Sequence, residues 1–169
     1  KKAENNTMTM CGGIAEGGTP NGGRYGNLGT VEITSHDDSA ELINNKLYLY
    51  DGTVTGTATA GLISTHGATY ARAEGNIAEF KGDSYAQMFF GAQLKSYSDS
   101  TIVGTNNKAT YDSSSTEKTN MVAAIYADGS SQSKPNITLT NNNAYIKGAA
   151  LINSAIGAYA FSQGGGEIN

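Results

Sequence analysis

The carboxyl-terminal stretch Asn136–Asn169 reads NITLTNNNAYIKGAALINSAIGAYAFSQGGGEIN. Short apolar runs (Ile137–Leu139, Tyr145–Ile146, Leu151–Ile152, Ala158–Phe161, then Ile168) are separated by Asn, Ser and Gly. None is long enough for a helical core or a membrane span. Strands this short, returning every seven to ten residues with polar turns between them, suit a chain that winds around one core.

The pattern extends upstream. Val31 and Ile33 alternate with Thr30, Glu32 and Thr34, and Leu47, Leu49 and Val54 alternate across LYLYDGTV. Alternation places Leu47 and Leu49 on one face and Tyr48 and Tyr50 on the other. Asp51-Gly52 is the sharpest hairpin or corner signal in the chain. A bulky residue followed by x-Gly recurs at Val54-Thr55-Gly56, Phe80-Lys81-Gly82, Ile102-Val103-Gly104 and Ile146-Lys147-Gly148. These starts imply a repeat of 22 to 26 residues and about six stacked coils, each laying down short parallel strands about 4.8 Å from the next.

Composition agrees with many turns and few helices. Gly, Thr, Asn and Ser make up 71 of the 169 residues, types that favour turns and strand edges. Ten Tyr supply buriable surface where Trp is absent. The net charge of −4, with charged residues at 15%, leaves no basic cluster for nucleic acid or an anionic membrane. The expected fold is therefore all-β, a right-handed parallel β-helix (β-solenoid) of short coils, with a β-sandwich or jelly roll as the alternative. We divide the chain into a Gly-rich arm or cap over residues 1–27 and a β-helix-like domain over 28–169, part of a longer chain. Within the cap reading, Thr7–Cys11 is a strand. The polar run Asn106–Asn120 reads as a surface loop inserted in the solenoid, and Asp128–Pro135 as a second loop.

Candidate chemistry is sparse. His36-Asp37-Asp38 reads as a solvated turn, because adjacent strand residues point to opposite faces. His66 has no G-x-S-x-G elbow beside it and reads as a surface or corner residue. Asp83, Asp99, Asp112, Asp128 and Arg72 are the scattered candidates for a polysaccharide-processing site. Cys11, the lone cysteine, reads as a small buried residue beside Met10. No catalytic residue, cofactor or metal is assigned, and the chain is read as non-enzymatic. The ligand-contact candidates are Tyr48, Tyr50, Tyr111 and Tyr126, since exposed Tyr offers rigid area with a hydrogen-bonding tip.

The run Ile146-Lys147-Gly148, Ala149–Ile152, Gly157–Phe161, Ser162-Gln163 and Gly165–Asn169 resembles the passenger region of bacterial autotransporters of the pertactin-like, type Va class. The resemblance covers Pro135–Asn169 best and Leu47–Phe90 more loosely, and it does not reach residues 1–27. It implies a β-helix displayed outside the outer membrane, extracellular or on the bacterial cell surface. The function implied is that of an adhesin stalk, associated with virulence, whose partner is a host or bacterial surface protein or glycan. Two alternatives stand beside it: a self-assembling extracellular filament or sheath protein that associates through its solenoid ends, and a β-helical polysaccharide-processing enzyme.

Overall fold

The computed structural model describes residues 1–16, 27–36, 38–130, 133–147 and 151–169. All regular structure among them is β, and every strand pairing is parallel. A sandwich or jelly roll is built from antiparallel neighbours, so that alternative is overturned. The chain is a parallel β-solenoid.

Each coil contributes to three sheets. The first stacks Lys2–Glu4, Ala40–Ile43, Tyr70–Glu74, Thr101–Thr105 and Asn136–Thr140. The second stacks Thr7–Cys11, Lys46–Tyr50, Ile77–Gly82, Lys108–Ser113 and Asn143–Lys147. The third contains the longest strands, Tyr85–Ser96, Lys118–Gly129 and Leu151–Ser162, above Thr53–Thr59 and Ile14–Ala15. Leu28–Gly29, Glu32–Ser35 and Leu62–Thr65 complete that sheet.

Register gives the true repeat. Ala40 pairs with Ala71, Ala71 with Ile102, Ile102 with Ile137, and Ile137 forms an isolated parallel bridge with Ile168. Those steps define about four turns of a little over thirty residues, not six of 22 to 26. The apolar-x-Gly repeat mixed different columns: Phe80 and Ile146 share one through Tyr111, whereas Val54 lies in the third sheet and Ile102 in the first. Gly148 lies outside the described residues.

Two interior clusters fill the coils. One holds Leu47, Leu49, Phe80, Phe89, Tyr111 and Val122, and the other holds Leu42, Ile63, Leu94, Ile102, Ile125 and Ile137. Between them the third sheet comes close to the corner joining the first two. A Cβ on Gly91 would lie 2.4 Å from the Ala124 carbonyl oxygen and 2.7 Å from that of Lys108. The waist therefore admits only the smallest side chain there.

Along that corner between the first two sheets runs an asparagine ladder. Asn6, Asn45, Asn76, Asn107 and Asn142 stack one per coil, each Nδ2 donating to the next Oδ1 at 2.9–3.1 Å. Each rung except the last also donates its backbone N–H to the same oxygen. The residue before every rung is left-handed: Asn5, Asn44, Gly75, Asn106 and Asn141 have φ between 53° and 65°. Asn and Gly are the residues that accept this conformation, and the inward amide that follows satisfies the corner's backbone.

One loop assignment changes. Asn106–Asn120 is solenoid wall over most of its length: Asn107 is a rung, Lys108–Ser113 and Lys118–Gly129 are strands, and only four residues separate them. Ser113, Ser115 and Thr119 in it are buried; Ser113 Oγ donates to Ser84 O, and Thr119 Oγ1 donates to Ala86 O at 2.9 Å. At the amino end, Thr7–Cys11 is a strand, as the cap reading has it, and with Lys2–Glu4 and Ile14–Ala15 it forms a coil at the end of the stack. The Gly pairs at 17–18 and 22–23, Asp37, and part of the 128–135 loop lie outside the described residues.

Candidate ligand-contact surface

Leu47 and Leu49 are fully buried, so the strand Lys46–Tyr50 holds Tyr48 and Tyr50 outward by alternation. The two rings stand nearly parallel, 9° apart, with centroids separated by 6.3 Å. In register beside them on the next coil are Glu79 and Lys81, which form an ion pair. The hydrogen bond and charge of Glu79 raise the Lys81 pKa above its ordinary value. The result is a pair of half-exposed phenol rings on a rigid strand, flanked by one charge of each sign.

The other two tyrosine candidates sit differently. Tyr111 is 1% exposed and lies in the interior with ring centroids 5.4 Å from Phe80 and 5.6 Å from Phe89. Its hydroxyl is 2.7 Å from Thr119 Oγ1, and burial pushes its pKa up. Tyr111 is thus a core residue, and its assignment as a ligand contact is corrected. Tyr126 is half-buried in a ring stack, 5.0 Å from Phe90 and 4.9 Å from Tyr159. Burial, then the charge of Asp128, raises its hydroxyl pKa. Its ring faces are occupied by neighbours, leaving an edge and the hydroxyl.

The fold unites two candidates treated separately in the sequence. Ser35 pairs with Thr65 and Thr65 with Ser96, so His36, His66 and Tyr97 follow on three successive coils. Their rings stack at 5.2 Å and 4.7 Å on the outside of the corner. Beneath them a hydroxyl column holds the turn: Thr65 Oγ1 donates to Ser96 Oγ at 3.1 Å, and Ser96 Oγ donates to Ser98 O at 2.7 Å. The rings cover the corner; no three metal-capable side chains gather among the described residues.

The carboxylates diverge. Asp112 lies on a strand of the second sheet and Asp128 on one of the third. Asp83 sits at the corner between those sheets, its N–H donating to Asp51 Oδ1 at 2.9 Å. Asp99 accepts from Lys134 N–H at 2.7 Å, and Arg72 is paired with Glu41 and Glu74 on the first sheet. Cys11 is exposed on the outer face of the first coil, which corrects its expected burial: its phase is opposite to Met10.

Sequence reasoning passed over two features. A groove on the third sheet, about 370 Å³, is lined by Leu28, Thr57, Thr59, Leu62, Gln93 and Lys95. Its wall comes from residues 28–32, whose pairing onto the sheet is visible only in register. The asparagine ladder did have a sequence signal, the Asn-Asn pairs at 5–6, 44–45, 106–107 and 141–142 with Gly75-Asn76 between them. Comparisons with protein-family models, with curated proteins and with solved structures find no match to this chain.

Proposed function

We propose that this chain is a non-enzymatic segment of a bacterial cell-surface or secreted adhesin, a rigid β-solenoid stalk whose lateral face contacts a surface protein or glycan. The observation that carries this reading is the outward Tyr48–Tyr50 pair, parallel and half-exposed over a strand locked in place by buried Leu47 and Leu49. Tyr on a stiff support makes contact area at little entropic cost, and its hydroxyl suits the polar groups of a glycan or a protein rim. The asparagine ladder supports the reading mechanically, since each coil is bonded to the next by side chains as well as by sheets. The sequence resemblance to autotransporter passengers supports the same role and an extracellular location.

The test is binding of the purified chain to a glycan array and to host-cell and bacterial-cell surfaces, beside a Tyr48→Ala/Tyr50→Ala double variant. Loss of both rings is expected to weaken binding at least tenfold, about 1.4 kcal/mol, with circular dichroism unchanged. Equal binding by the variant moves the contact elsewhere. No binding by the wild-type chain to any surface overturns the adhesin reading.

A further inference from the structure

The groove on the outer face of the third sheet owes its depth to one register column. Gly29, Thr59 and Phe90 are partners on successive coils. Phe90 fills its place with a ring stacked on Tyr126, whereas Gly29 and Thr59 are small and line the groove of about 370 Å³. Its walls come from three successive coils, through Glu32, Leu62 and Gln93, so it runs along the side of the solenoid. Its size falls within the range of small-ligand pockets, about 300–1,000 Å³.

Gln93 is the residue in it that the fold does not explain. Ala92 and Leu94 on either side are core residues, so alternation turns Gln93 outward. It is nevertheless only 5% exposed. Its backbone N–H donates to Gly61 O at 2.9 Å, but its carboxamide bonds to none of the described residues. Among the described residues no side-chain nitrogen or oxygen is both shut off from solvent and unpaired, so the carboxamide reaches the groove that it lines. Thr59, equally buried, is the contrast: its hydroxyl donates to Gly61 O at 2.9 Å and accepts from Gly61 N–H at 3.3 Å. A carboxamide withdrawn from bulk water without a partner costs stability.

The surroundings of Gln93 are graded. Along the axis a carboxylate, an apolar side chain and a carboxamide follow one another at Glu32, Leu62 and Gln93, roughly 4.8 Å per coil. Lys95 lies two residues beyond Gln93 on the same face, and Thr57 flanks the groove with its N–H held by Asn27 Oδ1 at 3.0 Å. Donors and acceptors thus surround one apolar patch. A peptide suits this lining poorly. Strand addition needs a free sheet edge, and the strands Thr53–Thr59 and Leu62–Thr65 beneath the groove are paired on both sides. A polyhydroxylated ring with one amide substituent suits it well, because each of its groups has a counterpart.

We propose that this groove binds an N-acetylated sugar and that Gln93 bonds its acetamido group. Gln93 Nε2 donates to the acetamido carbonyl, the acetamido methyl rests on Leu62, and ring hydroxyls meet the Glu32 carboxylate and the Lys95 ammonium. This inference does not rest on the adhesin reading: its residues lie on the third sheet, whereas Tyr48 and Tyr50 lie on the second.

Isothermal titration calorimetry of the full chain tests it, with N,N′-diacetylchitobiose and with cellobiose, which carries hydroxyls in place of the acetamido groups. Diacetylchitobiose is expected to bind, and cellobiose to bind at least about tenfold more weakly. Gln93→Leu is expected to weaken diacetylchitobiose binding at least about tenfold while melting at or above the wild-type temperature, because it removes a partnerless amide. The Tyr48→Ala/Tyr50→Ala double variant is expected to bind the disaccharide as wild type does, which keeps this site distinct from the tyrosine contact. Absence of diacetylchitobiose binding at millimolar concentration overturns the proposal, as does equal binding of cellobiose. Undiminished binding by Gln93→Leu overturns it too, and so does lost binding with a lowered melting temperature, which makes Gln93 a structural residue. N-acetylglycine N-methylamide, a peptide mimic without hydroxyls, is expected not to bind; binding as tight as that of the disaccharide assigns the groove to peptides and overturns the proposal.

Discussion

The strands Lys118–Gly129 and Leu151–Ser162 are neighbours in one sheet, each twelve residues long. They have similar composition and opposite environments. Val122, Ala123 and Ile125 are fully buried, while Ala155, Ile156 and Ala158, their partners in register, are exposed or half-exposed. The difference is the number of layers: the first strand has a coil on each side and the second has one. In a solenoid, stability is close to a sum over repeats and their nearest-neighbour interfaces. A residue's energetic weight therefore depends on its coil as much as on its type.

The contrast is sharpest in the aromatic columns. Tyr111→Ala, which empties a site between Phe80 and Phe89, is expected to cost about 3–5 kcal/mol in urea unfolding. Tyr145→Ala, on the outer face of the last coil and 49% exposed, is expected to cost about 0.5 kcal/mol or less. Similar losses at the two positions would break the comparison.

The ladder gives the next largest effect. Asn107→Ala strands the Asn76 N–H and Nδ2 together with the Ala73 carbonyl. Unsatisfied buried groups cost about 1–3 kcal/mol each, shared rather than strictly additive, so about 2–4 kcal/mol is expected. Asn142→Ala strands the same kinds of group where water reaches them, at about 1 kcal/mol. Thermal melts of the two variants side by side check the ratio. Equal costs would mean that the terminal rung is as well enclosed as the central one.

The smallest effect is electrostatic. Burial raises the Asp128 pKa, and Lys95 opposes the shift only in part. A carboxyl whose folded pKa lies above its unfolded value favours the protonated native state. Its charge therefore costs stability once pH exceeds the folded value, and the cost vanishes below the ordinary 3.8. Asp128→Asn is expected to raise the melting temperature slightly at neutral pH and to leave it unchanged near pH 3. A gain that persists in acid would point to packing instead.

Some of this architecture was legible in the chain. The alternation in LYLYDGTV separates buried Leu47 and Leu49 from outward Tyr48 and Tyr50, as observed. Asp51-Gly52 marks a real corner, with Asp51 left-handed at φ 54°. Strand phase is local, because consecutive side chains point to opposite faces whatever the fold. Turn chemistry is local for the same kind of reason: φ is restricted by the residue's own side chain.

The column in which a residue stands is not local. Tyr111 lies in a polar run, TYDSSS, which reads as surface; its burial follows from register with Phe80 31 residues earlier and from a hydroxyl partner, Thr119, on the next strand. The apolar-x-Gly spacing misleads about coil length because Gly56 and Gly104 lie inside strands of different sheets while Gly82 ends a strand at a corner, whereas the inward amide occurs once per coil. Even there the spacing runs 39, 31, 31 and 35 residues, since corners and loops absorb insertions without shifting the ladder. Amino-acid type alone thus settled that these segments are strands, which of their faces is apolar and where the chain turns. Which strands stack and which polar residues become interior were decided by the tertiary structure, because hydrogen bonding between coils sets them and residues thirty or more apart supply it.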